Sequence, residues 1–166
     1  YFVSPVALFD FDEFLAEEGL KEIFEVLEVG DEDNTVLYRS YIQTEAGDVP
    51  VVILTDNTIY TVIRFVLGAN VVTDANKETI QSYLNEQNSK YKSFKFYIEE
   101  QDKTVYLDIN YMTSNSAFEP PLVYVLTKQG VDFLMESATM LKELFGRDTI
   151  GGTPHAVMHV EENQEA

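Results

Sequence analysis

The sequence contains no cysteine, so disulfides, thiol nucleophiles and thiolate metal sites are excluded. It has only two histidines, His155 and His159. Bases are scarce as well: 11 Lys and Arg stand against 29 Asp and Glu, a net charge of −18. Nucleic-acid binding rests on neutralising phosphates with Lys and Arg, so that balance argues against it. Five of the bases do fall within residues 77–103, but Glu78, Glu86, Glu99, Glu100 and Asp102 lie among them and no basic stripe results. Long apolar runs are missing too. The most apolar stretch, residues 59–72, is interrupted by Thr61, Arg64 and Asn70 and falls short of the ~18–20 residues of a membrane span. No charged-apolar-small leader pattern opens the chain. The expectation is a cytoplasmic protein with no nucleic-acid or membrane partner; since the first residue is Tyr1, residues upstream of it are expected.

What is present is ample core material. Hydrophobic residues make up 45% of the 166, with eleven Phe and ten Tyr, enough for one domain and too much for a disordered chain. Residues 10–146 read as that domain, residues 1–9 as an N-terminal extension and residues 147–166 as a loose C-terminal tail.

Asp10 or Asp12 is placed to cap a first helix. Phe11, Phe14 and Leu15 keep helical spacing, and after Gly19 the set Leu20, Ile23, Phe24, Leu27 continues it. Gly19 can kink or end that helix, and Gly30-Asp31-Glu32-Asp33-Asn34 breaks it. Residues 35–44, 49–55 and 58–67 are rich in β-branched and aromatic residues, and short turns separate them, so they predict three antiparallel strands. Both faces of the third are apolar, which predicts cover on both sides. Asp74 is placed to cap a helix through Ile80, Tyr83, Leu84 and Asn88.

A hairpin follows over residues 94–111. With Glu100-Gln101-Asp102-Lys103 as its loop, Phe94, Phe96 and Ile98 face Ile109, Leu107 and Val105 on one side, and Tyr97 faces Tyr106 on the other. Pro120-Pro121 opens a last helix that Gly146 closes. The order α-β-β-β-α-β-β-α predicts an α+β domain with an antiparallel sheet.

The stretch Tyr83-Leu84-Asn85-Glu86-Gln87-Asn88, then Ser93-Phe94-Lys95-Phe96-Tyr97-Ile98 and the return Val105-Tyr106-Leu107-Asp108-Ile109, resembles the YbjN-like family. That family's fold is similar to the type III secretion chaperones. The resemblance implies a bacterial protein with that fold and a chaperone-like or regulatory role, in which a small acidic homodimer holds a segment of a protein partner. It implies no catalytic, cofactor or metal residue. The candidate partner or dimer surface is the second helix with the second hairpin: Tyr83, Asn85, Asn88, Tyr97 and Tyr106. Each has a structural alternative. Asn88 can end its helix and bond the following turn, and Tyr97 with Tyr106 can be a stabilising cross-strand pair.

Other chemistries lack their spacing. Asp31-Glu32-Asp33-Asn34 has neither the glycine nor the distant glutamate of a calcium loop. His155 and His159 stand four apart, but Ala156 occupies the place of a metalloprotease glutamate. Gly151-Gly152-Thr153 has no phosphate-loop lysine. The competing reading is a small-molecule sensor or a carboxylate-based enzyme, with a pocket between helices and sheet. A closed pocket with converging acids would favour it, and an exposed sheet edge or shallow groove would favour a binding module.

Overall fold

A computed structural model describes residues 5–154, with side chains from Phe11 onward. His155 and His159 lie outside the described residues. The chain is α+β: helix α1 (Pro5–Glu17), strands β1 (Glu25–Glu28), β2 (Val36–Thr44), β3 (Gly47–Thr55) and β4 (Tyr60–Gly68), helix α2 (Lys77–Lys90), strands β5 (Phe94–Glu99) and β6 (Thr104–Met112), and helix α3 (Pro120–Phe145). The six strands form one sheet in the order β1-β2-β3-β4-β6-β5, and every strand pair is antiparallel.

The helices pack on one face of this sheet. Phe11 and Leu15 of α1, Ile80 and Leu84 of α2, and Val123, Phe133, Leu134, Leu141 and Phe145 of α3 share a single core with Val51, Ile53, Ile63, Phe65, Leu107 and Ile109 of the strands. Phe133 anchors one end, with its ring 5.1 Å from that of Phe96 and edge-on to Phe94 and Tyr91. Each such ring removed from water contributes roughly 1.5–3 kcal/mol. Gly130 lets α3 come this close, because a Cβ there would overlap the ring of Phe65.

The hairpin register is the expected one: Phe94 faces Ile109, Phe96 faces Leu107, Tyr97 faces Tyr106 and Glu99 faces Thr104. Gly146 closes α3 in the left-handed region with φ 64°. Four expectations need correction. Helix α1 begins at Pro5, so Asp10 and Asp12 lie within it instead of capping it. Of the two outcomes open at Gly19, it ends the helix: φ is 69° and the Leu20 N–H bonds the Leu15 carbonyl at 2.8 Å, so the helical spacing read on through Leu27 does not form a helix there.

Residues 25–28 are instead a sixth strand, aligned on β2 with Glu25 opposite Arg39 and Leu27 opposite Leu37. At α2 the N-terminal bonds are made by Thr73 and Asn76, each taking the other's backbone N–H, and not by Asp74. Finally, the chain beyond Gly146 is tied down as far as Gly151. Ile150 is buried and its N–H bonds the Ala46 carbonyl, while the Gly151 N–H bonds the Leu67 carbonyl of β4 and its carbonyl accepts the N–H of Ala69, just past that strand. A Cβ on Gly151 would collide with the Asp48 carbonyl, so only glycine fits between β3 and β4.

Candidate functional site

Because the helices take one face, alternate residues of all six strands point away from them. The register sorts these into rows that run across the sheet. One row is apolar, Leu27-Leu37-Leu54-Val62, and ends at Asn110. Its neighbour is a charged row, Glu25-Arg39-Val52-Arg64-Asp108-Lys95, with one residue from every strand. Beyond it lie Tyr41 opposite Pro50, and Val66-Tyr106-Tyr97. No helix or strand among the described residues packs on this face.

The charged row differs sharply between its two ends. On β4 and β6, Arg64 grips Asp108 with two bonds, Nε to Oδ1 at 2.9 Å and Nη2 to Oδ2 at 3.0 Å. The Tyr97 hydroxyl donates to the same Oδ2 at 3.1 Å. Arg64 lies over the Tyr106 ring at 5.3 Å, Tyr97 stacks on Tyr106 at 5.5 Å, and the Lys95 ammonium sits over Tyr97 at 5.1 Å.

Side-chain exposure is 15% for Arg64 and 7% for Asp108. Burial works against the guanidinium's charge, but its bonds to Asp108 and that carboxylate's charge outweigh it and raise the Arg64 pKa. Burial, reinforced by Asp108, raises the Tyr97 phenol, and burial with Asp102 raises that of Tyr106. All three groups therefore keep one protonation state at neutral pH, a constellation suited to holding shape and unsuited to shuttling protons. At the other end, Arg39 meets Glu25 at 2.8 Å, with the Glu25 side chain 74% exposed.

The two sheet edges also differ. At the β5 edge, the Asn88 side-chain amide accepts the Phe96 N–H at 2.8 Å and donates to the Phe96 carbonyl at 3.1 Å. A single side chain there plays the part of a neighbouring strand and closes the edge. At the opposite edge β1 covers β2 only from Val36 to Arg39, and among the described residues no strand lies on the outer side of residues 40–44. A groove of about 490 Å³ opens at that step. Ile23, Phe24, Arg39, Tyr41, Val52 and Pro154 line it, and Glu22 and Glu25 add acids. Ile23 and Tyr41 are among the most exposed apolar side chains described.

Of the five candidate residues, the structure brings Asn85, Asn88 and Tyr97 together on a smaller groove of about 230 Å³ between α2 and β5. Tyr83 and Tyr106 are buried and offer no surface to a partner. Tyr106 was expected on a polar, solvent-facing side; it is covered because Arg64 and Tyr97 lie against its ring. Asn88 bonds Phe96 within the strand instead of the turn before it.

Arg64, Asp108, Arg39 and Glu25 were not singled out from sequence as site residues. A signal for two of them was present, since Arg64 and Asp108 each interrupt an otherwise apolar strand with opposite charge. Asp31 spends both carboxylate oxygens on Thr35, as a polar turn residue does. Among the described residues no group of three or more acidic or histidine side chains is placed to hold a metal, and no helix is long and apolar enough to cross a membrane.

No family model, no curated protein and no solved structure matches the chain, so its own residues carry the functional reading.

Proposed function

We propose that this chain is a protein-binding module, chaperone-like or regulatory as the YbjN-like resemblance implies, that holds an extended segment of a partner without catalysis. The observation that supports this most is the edge of β2 at residues 40–44, which no strand among the described residues covers, beside a groove with exposed Ile23 and Tyr41. An extended chain laid there satisfies the strand's outward backbone groups and sets alternate side chains into the groove. The acids concentrated in residues 10–33, with Lys21 the only base among them, select a basic segment.

Affinity capture from the source cell with the wild-type chain and with an Ile23→Ser/Tyr41→Ala variant tests the reading. Both positions are exposed, so the variant keeps its fold. Proteins held by the wild type and lost by the variant support the proposal. An identical captured set, or turnover of a substrate abolished by one carboxylate substitution, overturns it.

A further inference from the structure

We infer that the groove beside β2 has an occupant within this chain: residues 155–160, His-Ala-Val-Met-His-Val, lie along it in the place of the partner segment and are displaced when a partner binds. This rests on the binding role proposed for that groove and makes the segment its regulator.

The path of the chain points there. Past α3 the Gly151 N–H bonds the Leu67 carbonyl and the Gly151 carbonyl accepts the Ala69 N–H, both at 2.8 Å. Gly151 and Gly152 then have φ of 78° and 89°, a left-handed turn that residues with a Cβ rarely adopt. It leads the chain away from the helix layer, because Thr153 and Pro154 line the groove together with Tyr41 and Pro50 of the helix-free face. Pro154 is buried, so the described chain ends within the groove wall and not in water. Residue 155 therefore starts at the groove.

Sequence and length fit it. Residues 155–160 contain no acid, glycine or proline, and four of the six are apolar. In an extended chain Ala156, Met158 and Val160 share one side, and His155, Val157 and His159 share the other. The first side suits Ile23 and Tyr41 in the groove wall. Six extended residues span about 20 Å, and positions 40–44 of β2 span about 17 Å, so the segment matches that edge.

Charge keeps the occupancy weak. Glu161 and Glu162 follow at once, and Glu22 and Glu25 border the groove. Repulsion among these acids opposes the contact, whereas a basic partner segment is attracted to the same groove. A tethered segment that starts at its site acts at an effective concentration on the order of millimolar. It fills the groove without strong affinity of its own and yields to a partner that binds better.

A peptide copying residues 155–160, with blocked ends and a fluorescein label, is the probe, and fluorescence anisotropy reads its binding to the full chain. Met158→Ser/Val160→Ser strips the groove-facing side of the segment, and His155→Ser/Val157→Ser strips the other side. Neither variant alters the net charge counted with His neutral, and none of the four residues belongs to the described core. The Met158→Ser/Val160→Ser chain is expected to bind the peptide about three- to tenfold tighter than wild type, because its own segment no longer competes. The His155→Ser/Val157→Ser chain is expected to stay within about twofold of wild type. Adding Ile23→Ser/Tyr41→Ala to the tighter variant is expected to weaken peptide binding about tenfold or more.

Equal affinity of the wild type and the Met158→Ser/Val160→Ser chain overturns the inference and leaves the groove a binding site, as does an equal gain in the His155→Ser/Val157→Ser chain. Peptide binding that survives Ile23→Ser/Tyr41→Ala overturns both the inference and the binding role of the groove. Failure of every chain to bind the peptide at millimolar concentration overturns the inference alone, since a basic partner captured through Ile23 and Tyr41 would still use the groove.

Discussion

The two ends of the charged row use the same chemistry, one arginine against one carboxylate, with opposite consequences. Arg64 and Asp108 are nearly sealed, doubly bonded and fixed by Tyr97, beside an edge that Asn88 closes. Arg39 and Glu25 stand at the other end, where the strand is short, the glutamate is in water and the neighbouring edge of β2 is uncovered. Burial makes the difference. An ion pair in water contributes up to ~1 kcal/mol, whereas breaking one inside a protein leaves a desolvated charge and costs several times more. The β4-β6-β5 half thus carries the buried, fixed pair, and the β1-β2 half the exposed one.

Substitutions along the row sharpen this contrast. Asp108→Ala strands the Arg64 guanidinium and removes the Tyr97 acceptor, and is expected to lower unfolding free energy by about 3–5 kcal/mol in denaturant titration. Asn88→Ala reopens the β5 edge by removing two hydrogen bonds to Phe96. A loss of about 1–2 kcal/mol is expected, with amide exchange speeding up at Phe96. Glu25→Gln, at the open end, is expected to change stability by less than about 1 kcal/mol. If Glu25→Gln proved as costly as Asp108→Ala, the contrast between the two ends would be lost.

Asp56 gives a smaller effect with a defined sign. It sits in the turn between β3 and β4, accepting bonds from the Thr58 N–H and hydroxyl. Burial, joined by repulsion from Asp33 and Asp31, raises its pKa against those bonds. A carboxyl whose folded pKa exceeds its unfolded one favours folding at pH below the unfolded value, and that contribution is lost as pH rises through the folded value. Asp56→Asn keeps an oxygen for Thr58 and carries no charge. Its melting temperature is therefore expected to exceed that of the wild type slightly at neutral pH, with the gap closing once the pH falls below the ordinary aspartate range.

Much of the fold was legible in the sequence, and what was not has physical causes. The β5-β6 register was readable because alternation along both strands admits one loop only, and a slip would turn Phe96 and Leu107 outward. Strand β1 was not readable. Its four residues are all exposed, so no buried alternation marks them, and their spacing continues that of the helix before Gly19. The apolar character of both faces of β4 was visible in the sequence, but not what lies on the second face, because that depends on which strands become neighbours. The charged row exists only through pairings between residues as distant as Arg64 and Asp108. The closed edge was partly legible: a structural role for Asn88 could be read, its bonds to Phe96 could not.

The smallest expected effect on stability falls on the residues expected to matter most for encounter. Glu17, Glu18 and Glu22 are exposed, at the end of α1 and in the turn that leads to β1. Glu22 also borders the groove beside the open β2 edge. Replacing all three with glutamine takes the net charge from −18 to −15, one unit for each substitution. Stability is expected to shift by no more than about 0.5 kcal/mol, as for exposed charges without a bonded partner. Association with a basic segment is a different matter, because long-range attraction acts before any contact forms and raises the rate of encounter. Affinity from apolar contacts at Ile23 and Tyr41 resides instead in the dissociation rate. Stopped-flow measurement on a partner obtained by affinity capture should find slower association for the triple variant, a weaker salt dependence than wild type, and unchanged dissociation. Association rates that stay flat from low to high salt would show that charge plays no part in encounter, and the open edge would then have to select its partner by shape alone.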